Sequence, residues 1–211
     1  MSIVRALRSR LVPLTASAAA VALLAACTAA GPADGSVDDD GPTAGASDGT
    51  VAARLADLGL AVDDPRGLVD ALDRLPADER PQDLIASVRP DHVLVSVADG
   101  EQEVPLTLPD DLFYVSFAPY VDGTHECFYH SLTTCHGELG GQEVDVVLTD
   151  EDTGDVLVEE TATLYDNGFV GYWLPRGVTA TLQVSQGDLS ATTTLRTDDD
   201  APTCVTTMQL T

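Results

Sequence analysis

At 211 residues, 44% of them apolar, the chain holds enough material for one medium-sized domain with appendages, so a sizeable core is expected. Ten arginines, no lysine and thirty-five acidic residues give a net charge of −25. Such a surface excludes nucleic acid as a partner, because phosphate binding needs a basic footprint.

The first segments in chain order are not part of the fold. Arg5, Arg8 and Arg10 precede the apolar run LVPLTASAAAVALLAA, from Leu11 to Ala26, and Cys27 comes directly after it. A basic segment, a short apolar segment and small residues before a cleavage point predict a signal peptide over residues 1–26, and the run is short for a membrane span. Leu24, Ala25, Ala26 and Cys27 match the lipobox of bacterial lipoproteins. Cys27 is therefore expected to carry lipid and to anchor the chain at the outer face of the cytoplasmic membrane. Cleavage before it removes three arginines and no acidic residue, moving the net charge from −25 to −28. Residues 27–50 read as the lipidated Cys27 and a disordered acidic tether, rich in Gly, Pro, Asp and Ser and without an apolar period. Such a tether reaches roughly 25 to 30 Å, enough to hold a domain clear of the head groups.

Between Val51 and Val88 apolar residues recur at helical spacing in three groups: Val51, Leu55, Leu58 and Leu60; Leu68, Val69, Leu72 and Leu75; Leu84, Ile85 and Val88. Residues 51–90 are expected to form two or three short helices. Pro65 behind Asp63 and Asp64 marks a capped start, while Pro76 and Pro81 interrupt the helical pattern beyond Leu75. The apolar stripes are expected to cover a sheet or to meet a second copy of the chain in a homodimer. After Pro90 the period changes to two. Eight β-branched or aromatic segments, from HVLVSVA to TCVTTMQL, are separated by glycine-containing turn signals. They predict an antiparallel β-sandwich or barrel-like domain over residues 91–211, in a chain that is mainly β and of α+β type. Asn167 and Gly168 form the strongest turn signal, and Leu164, Phe169, Trp173 and Leu174 are expected in the sandwich core.

The chemistry concentrates in HECFYHSLTTCH, from His125 to His136, which holds two cysteines and three of the four histidines. A zinc-protease motif fails on spacing, because His125 and His130 are five apart and the motif needs four on one helix face. The run DEDTGD, Asp150 to Asp155, has its glycine a position early for a calcium loop and lacks the closing glutamate, so a hairpin turn is expected there. With Cys27 lipidated, Cys127, Cys135 and Cys204 remain, an odd number that cannot all pair internally. In an oxidising compartment a spare thiol binds a metal, exchanges with a partner or is buried.

These residues admit two readings. In one, Cys127 pairs with Cys135 or Cys204 to staple a β-sandwich module that serves surface interaction without a metal. In the other, the polar turn between Cys127 and Cys135 folds back as a hairpin. The two sulfurs then meet, with His130 at the tip and His125 and His136 flanking. Alternation in the last strand places Cys204, Thr206 and Met208 on one face, although Met208 suits core filling better. Thiolate, thioether and imidazole select Cu(I), imidazole also receives Cu(II), and zinc competes for the same Cys and His donors.

The runs FYVSFAPYVDGTHECFYHSLTTCHGEL, NGFVGYWLP and PTCVTTMQL, in that order, closely resemble the CueP family of exported bacterial copper-binding proteins. The hallmark of that family is a pair of cysteines with seven residues between them and a distant third, positions held here by Cys127, Cys135 and Cys204. The resemblance implies a protein of copper resistance in which these cysteines are the metal and redox positions and His130 is the imidazole ligand, with His125 in the same block. It also implies thiol-driven reduction of Cu(II) to Cu(I), an exported copper-zinc superoxide dismutase as copper acceptor, and a thiol-disulfide reductase that restores the thiols. The lipobox and tether depart from freely periplasmic relatives, and an anchored protein cannot roam to deliver copper.

Overall fold

A computed structural model describes residues 46–97 and 103–211, and among these it contains two helices and ten strands. The signal peptide, Cys27 and the tether up to residue 45 lie outside the described residues. Helix α1 (Ala46–Asp57) begins inside the stretch expected as tether, so residues 46–50 are helical instead. Val51 and Leu55, one turn apart, are buried. Gly59, at φ +72°, lets the chain turn back so that the Leu60 amide donates to the Leu55 carbonyl. Helix α2 (Pro65–Asp73) starts as the sequence predicts, with Asp64 accepting from the Gly67 amide at 2.9 Å and Pro65 in the first turn. Its stripe of Leu68, Val69 and Leu72 is buried, and Asp73 is buried with it.

The third apolar group is a correction, because Leu84–Val88 is strand β1 and not a helix. Leu84, Ile85 and Val88 fit a helical turn, but Leu84, Ala86 and Val88 fit a strand equally well, and these three are the buried ones while Ile85 is exposed. The hairpin with β2 (His92–Val97) breaks the tie, closed where the Arg89 amide donates to the His92 carbonyl at 2.8 Å. Strand β3 (Val104–Thr107) pairs with the other side of β2 and carries Pro105. A strand with proline belongs at a sheet edge, where β3 lies.

The remainder supplies β4 (Leu112–Phe117), β5 (Glu143–Asp150), β6 (Val156–Thr163), β7 (Val170–Pro175), β8 (Thr179–Gln186), β9 (Leu189–Arg196) and β10 (Cys204–Val205). They form a three-stranded sheet in the order β10-β4-β7 and an antiparallel four-stranded sheet in the order β6-β5-β8-β9. Neither closes into a barrel, and β10 departs from the antiparallel expectation by pairing parallel to β4. The run from Asp150 to Asp155 is the expected hairpin turn, with the Asp150 carboxylate accepting from the amides of Asp152 and Thr153.

The two sheets meet through Phe113, Val115 and Phe117 on one side and Val146, Leu148, Leu182 and Val184 on the other. Each such side chain contributes about 1.5 to 3 kcal/mol on burial. Leu164, Leu174 and Met208 complete this core, which gives Met208 a packing role. Trp173 departs from the expectation: it packs against Tyr114 at the edge of the separate core built from α1, α2 and the sheet of β1, β2 and β3. Phe169 departs too, joining Ala118, Cys135 and Cys204 in a small separate cluster.

Candidate metal centre

The segment between β4 and β5 is an irregular loop rather than the expected hairpin, and it is pinned from three sides. The Val88 amide donates to the His130 carbonyl and the Leu132 amide to the Ala86 carbonyl, both at 2.8 Å, which lays residues 130–132 along the edge of β1. The Phe128 carbonyl accepts from the amides of Thr203 and Cys204 at 3.0 and 3.1 Å. The His130 amide donates to Thr203 Oγ1 at 3.0 Å, and that hydroxyl donates onward to the Val88 carbonyl at 2.7 Å. His130 is therefore fully buried, not placed at a loop tip. Gly137 and Gly168 touch back to back: a Cβ on Gly168 would lie 2.5 Å from the Gly137 backbone, and Gly168 stands at φ +80°. The Glu138 carboxylate accepts the amides of Val121, Asp122 and Gly123, which holds its carboxyl below the usual range and fixes the approach to His125.

These constraints gather all three cysteines. Cys127 is bonded to Cys204 across a sequence separation of 77 residues, with Cα atoms 5.7 Å apart. Cys135 is a free, buried thiol whose Sγ lies 3.5 Å from that of Cys127 and accepts from the Ser131 amide at 3.3 Å. Cys127 and Cys135 therefore lie together as expected, but through the irregular loop and not a hairpin, and the bond itself runs to the last strand. Donor atoms form two sets, each with all members within 4.8 Å of one another: His125, Cys127 and Cys135, then His130, Cys135 and Cys204. The second set is wholly buried, and His125 and Cys127 of the first are half-buried. His125 Nε2 is a buried nitrogen with no hydrogen-bond partner. His92 and His136 belong to neither set.

The polarity of the inner set comes from a residue that motif reading did not single out. The Asp73 carboxylate, fully buried at the end of α2, accepts from His130 Nε2 at 2.8 Å, Asn167 Nδ2 at 3.0 Å, the Tyr114 hydroxyl at 2.6 Å and the Ser116 hydroxyl at 3.2 Å. Burial opposes its charge, but the His130 charge and these donors prevail and lower its pKa. An ionised carboxylate only accepts, so His130 Nε2 carries hydrogen and Nδ1 faces Cys204, 3.8 Å from its sulfur. Burial likewise opposes the imidazolium, yet Asp73, followed by Cys135, raises the His130 pKa to about 9. A carboxylate that fixes the far nitrogen of an imidazole orients the near one toward a metal. The available sequence signal is positional: Asp73 follows Leu72 on an apolar stripe, and a buried acid needs partners. Arg80 is a second such residue. It is 6% exposed, donates from Nη1 to the Cys135 carbonyl at 2.7 Å, and leaves Nε and Nη2 unpartnered.

Known proteins resemble the chain over the span that carries this geometry. The profile of a family described as periplasmic copper-binding protein CueP matches residues 67–209, a span that includes Asp73, both histidines and all three cysteines of the cluster. The crystal structure of S.CueP is similar at 41% identity with a TM-score of 0.70, over 76% of this chain and 96% of that one. No curated protein matches.

Proposed function

Since the chain belongs to the CueP family of periplasmic copper-binding proteins, we propose that it binds copper outside the cytoplasm through Cys127, His130, Cys135 and Cys204, with His125 beside them. The observation that carries this reading is the buried Cys135 thiol, which lies 3.5 Å from a second sulfur and belongs to both donor sets. A structural staple needs the Cys127–Cys204 bond alone; it does not need a third sulfur and two imidazoles around it. Thiolate and imidazole donors suit Cu(I), and Zn(II) is the expected competitor.

The same residues support reduction of Cu(II). The thiols of Cys127 and Cys204 each give up one electron and one proton, two Cu(II) become two Cu(I), and the sulfurs close to a disulfide. Cys135 is then the thiol left to retain a product Cu(I) with an imidazole. Reopening the bond requires an outside dithiol, so a thiol-disulfide reductase is the expected companion, and an exported copper-zinc superoxide dismutase is an expected copper acceptor. A lipid on Cys27 would keep the domain at the membrane.

The test is a competition titration of the reduced protein with Cu(I), Cu(II) and Zn(II), read by mass under non-denaturing conditions, beside a variant with Ser at positions 127, 135 and 204. Tight Cu(I) binding lost in the triple variant supports the reading; tight binding retained there removes it. Mixing reduced protein with excess Cu(II) should yield about two Cu(I) per disulfide closed. Cu(II) bound with all three thiols still titratable leaves binding without reduction.

A further inference from the structure

The two donor sets overlap in a single atom, the sulfur of Cys135. They differ in access. In the set of His125, Cys127 and Cys135, the first two line a cleft of about 330 Å³ with Tyr120, Thr124, Glu126 and Thr206, and Cys135 is buried behind them. Glu126 is exposed there, a carboxylate that draws cations toward the opening. In the other set His130, Cys135 and Cys204 are at most 7% exposed. A second cleft meets Cys127 and Cys204 from the Phe128 side, but it includes no histidine or carboxylate and carries Arg196. The His125 cleft is therefore the approach suited to a cation.

The sets also differ in support. His130 is braced by Asp73, and Phe169, fully buried, packs 4.6 Å from the His130 ring. The His125 ring lies 6.1 Å from the same phenyl ring, has no such brace, and leaves its buried Nε2 unpartnered. A braced, buried set binds more tightly than one that is half open, because its side chains lose less freedom on binding.

Resting on the copper reading above, we infer that Cu(I) is captured at the outer set and then passes to the inner one. His125 and Cys127 are exchanged for His130 and Cys204 while Cys135 stays bound. The metal keeps its oxidation state and no electron moves. His125 controls how fast copper arrives, and Cys204 with His130 controls how tightly it is held.

The experiment uses the whole chain with its disulfide reduced. Cu(I) is delivered as its bicinchoninate complex, and loss of the complex colour is followed by stopped flow and again at equilibrium. His125→Leu should load about tenfold more slowly with affinity within about threefold of wild type, whereas His125→Met, similar in shape but restoring a donor, should load near the wild-type rate. Cys204→Ser should load at the wild-type initial rate and hold Cu(I) about tenfold or more less tightly. Wild-type loading by His125→Leu, or an affinity loss in it equal to that of Cys204→Ser, overturns the inference while leaving copper binding intact. Failure of the wild type to take up Cu(I) overturns the copper reading itself. Circular dichroism confirms that each variant is folded, and the half-buried His125 is a mild site to alter.

Discussion

The four donors to Asp73 come from three places in the chain: His130 from the long loop, Tyr114 and Ser116 from β4, and Asn167 from the turn before β7. One carboxylate therefore ties α2 to the sheet of β10, β4 and β7 and to the loop that carries Cys127 and Cys135. Asp73→Asn removes the countercharge from a fully buried imidazolium and should cost on the order of 3 to 5 kcal/mol. Denaturant unfolding with the disulfide intact measures this, and wild-type stability in the variant would contradict the ion pair. The His130 pKa also gives a pH dependence. Its folded value, about 9, lies above the unfolded 6.5, so its contribution is complete below about pH 6.5 and is lost as pH rises through 9. That loss is on the order of 3 kcal/mol. Asp73 is shifted the opposite way, so the same pair weakens again in acid as pH falls through its lowered value. Thermal midpoints of the copper-free protein should therefore fall between pH 7 and 10, and His130→Gln should flatten that fall.

Among the elements, the contact between the loop after Cys135 and the turn before β7 carries a clear expectation. Gly168→Ala would set a Cβ 2.5 Å from the Gly137 backbone at a φ of +80°, where side chains are strained as well as crowded. Strain of this kind costs about 1 to 3 kcal/mol, and the backbone clash adds to it. The two segments should part, so the Cys135 thiol should react faster with an aromatic disulfide reagent than in wild type. Unchanged reactivity would mean that the loop is held from elsewhere. Asn167 and Gly168 are legible in the sequence as a turn, yet their second use, as a donor to Asp73 and a wall against Gly137, involves partners at distant chain positions. Strand β1 shows the same division: alternation lies within Leu84–Val88, but the pairing with β2 selects it over the helical spacing.

Across the whole molecule, the Cys127–Cys204 bond closes a loop with a sequence separation of 77 residues. Chain entropy assigns such a cross-link roughly 4 to 5 kcal/mol. Reduction should lower the unfolding midpoint markedly, and Cu(I) added to the reduced protein should restore much of the loss by binding only the folded state. A midpoint indifferent to reduction would show that the bond adds no net stability. At the amino terminus, Cys27→Ala should abolish acylation and move the exported protein from the membrane to the soluble fraction; identical partition of the two forms would dismiss the anchor.

The mainly β class, the eight segments from HVLVSVA onward, the capped start of α2 and the crowding of sulfur and imidazole donors between His125 and His136 are readable along the chain. Each depends on periodicity, turn chemistry or donor type, which are local properties, whereas the grouping of Cys204 and His130 with those donors was implied by the family resemblance. Which sulfurs are bonded, the burial of His130, the service of Asp73 and the division of the donors into an outer and an inner set were decided only by tertiary packing. These depend on distances between α2, β4, the long loop and β10, and separations of 57 residues from Asp73 to His130 and 77 from Cys127 to Cys204 leave no trace in local spacing. The physical reason is that a buried charge is tolerable only where several remote donors converge, and convergence is a property of the folded chain.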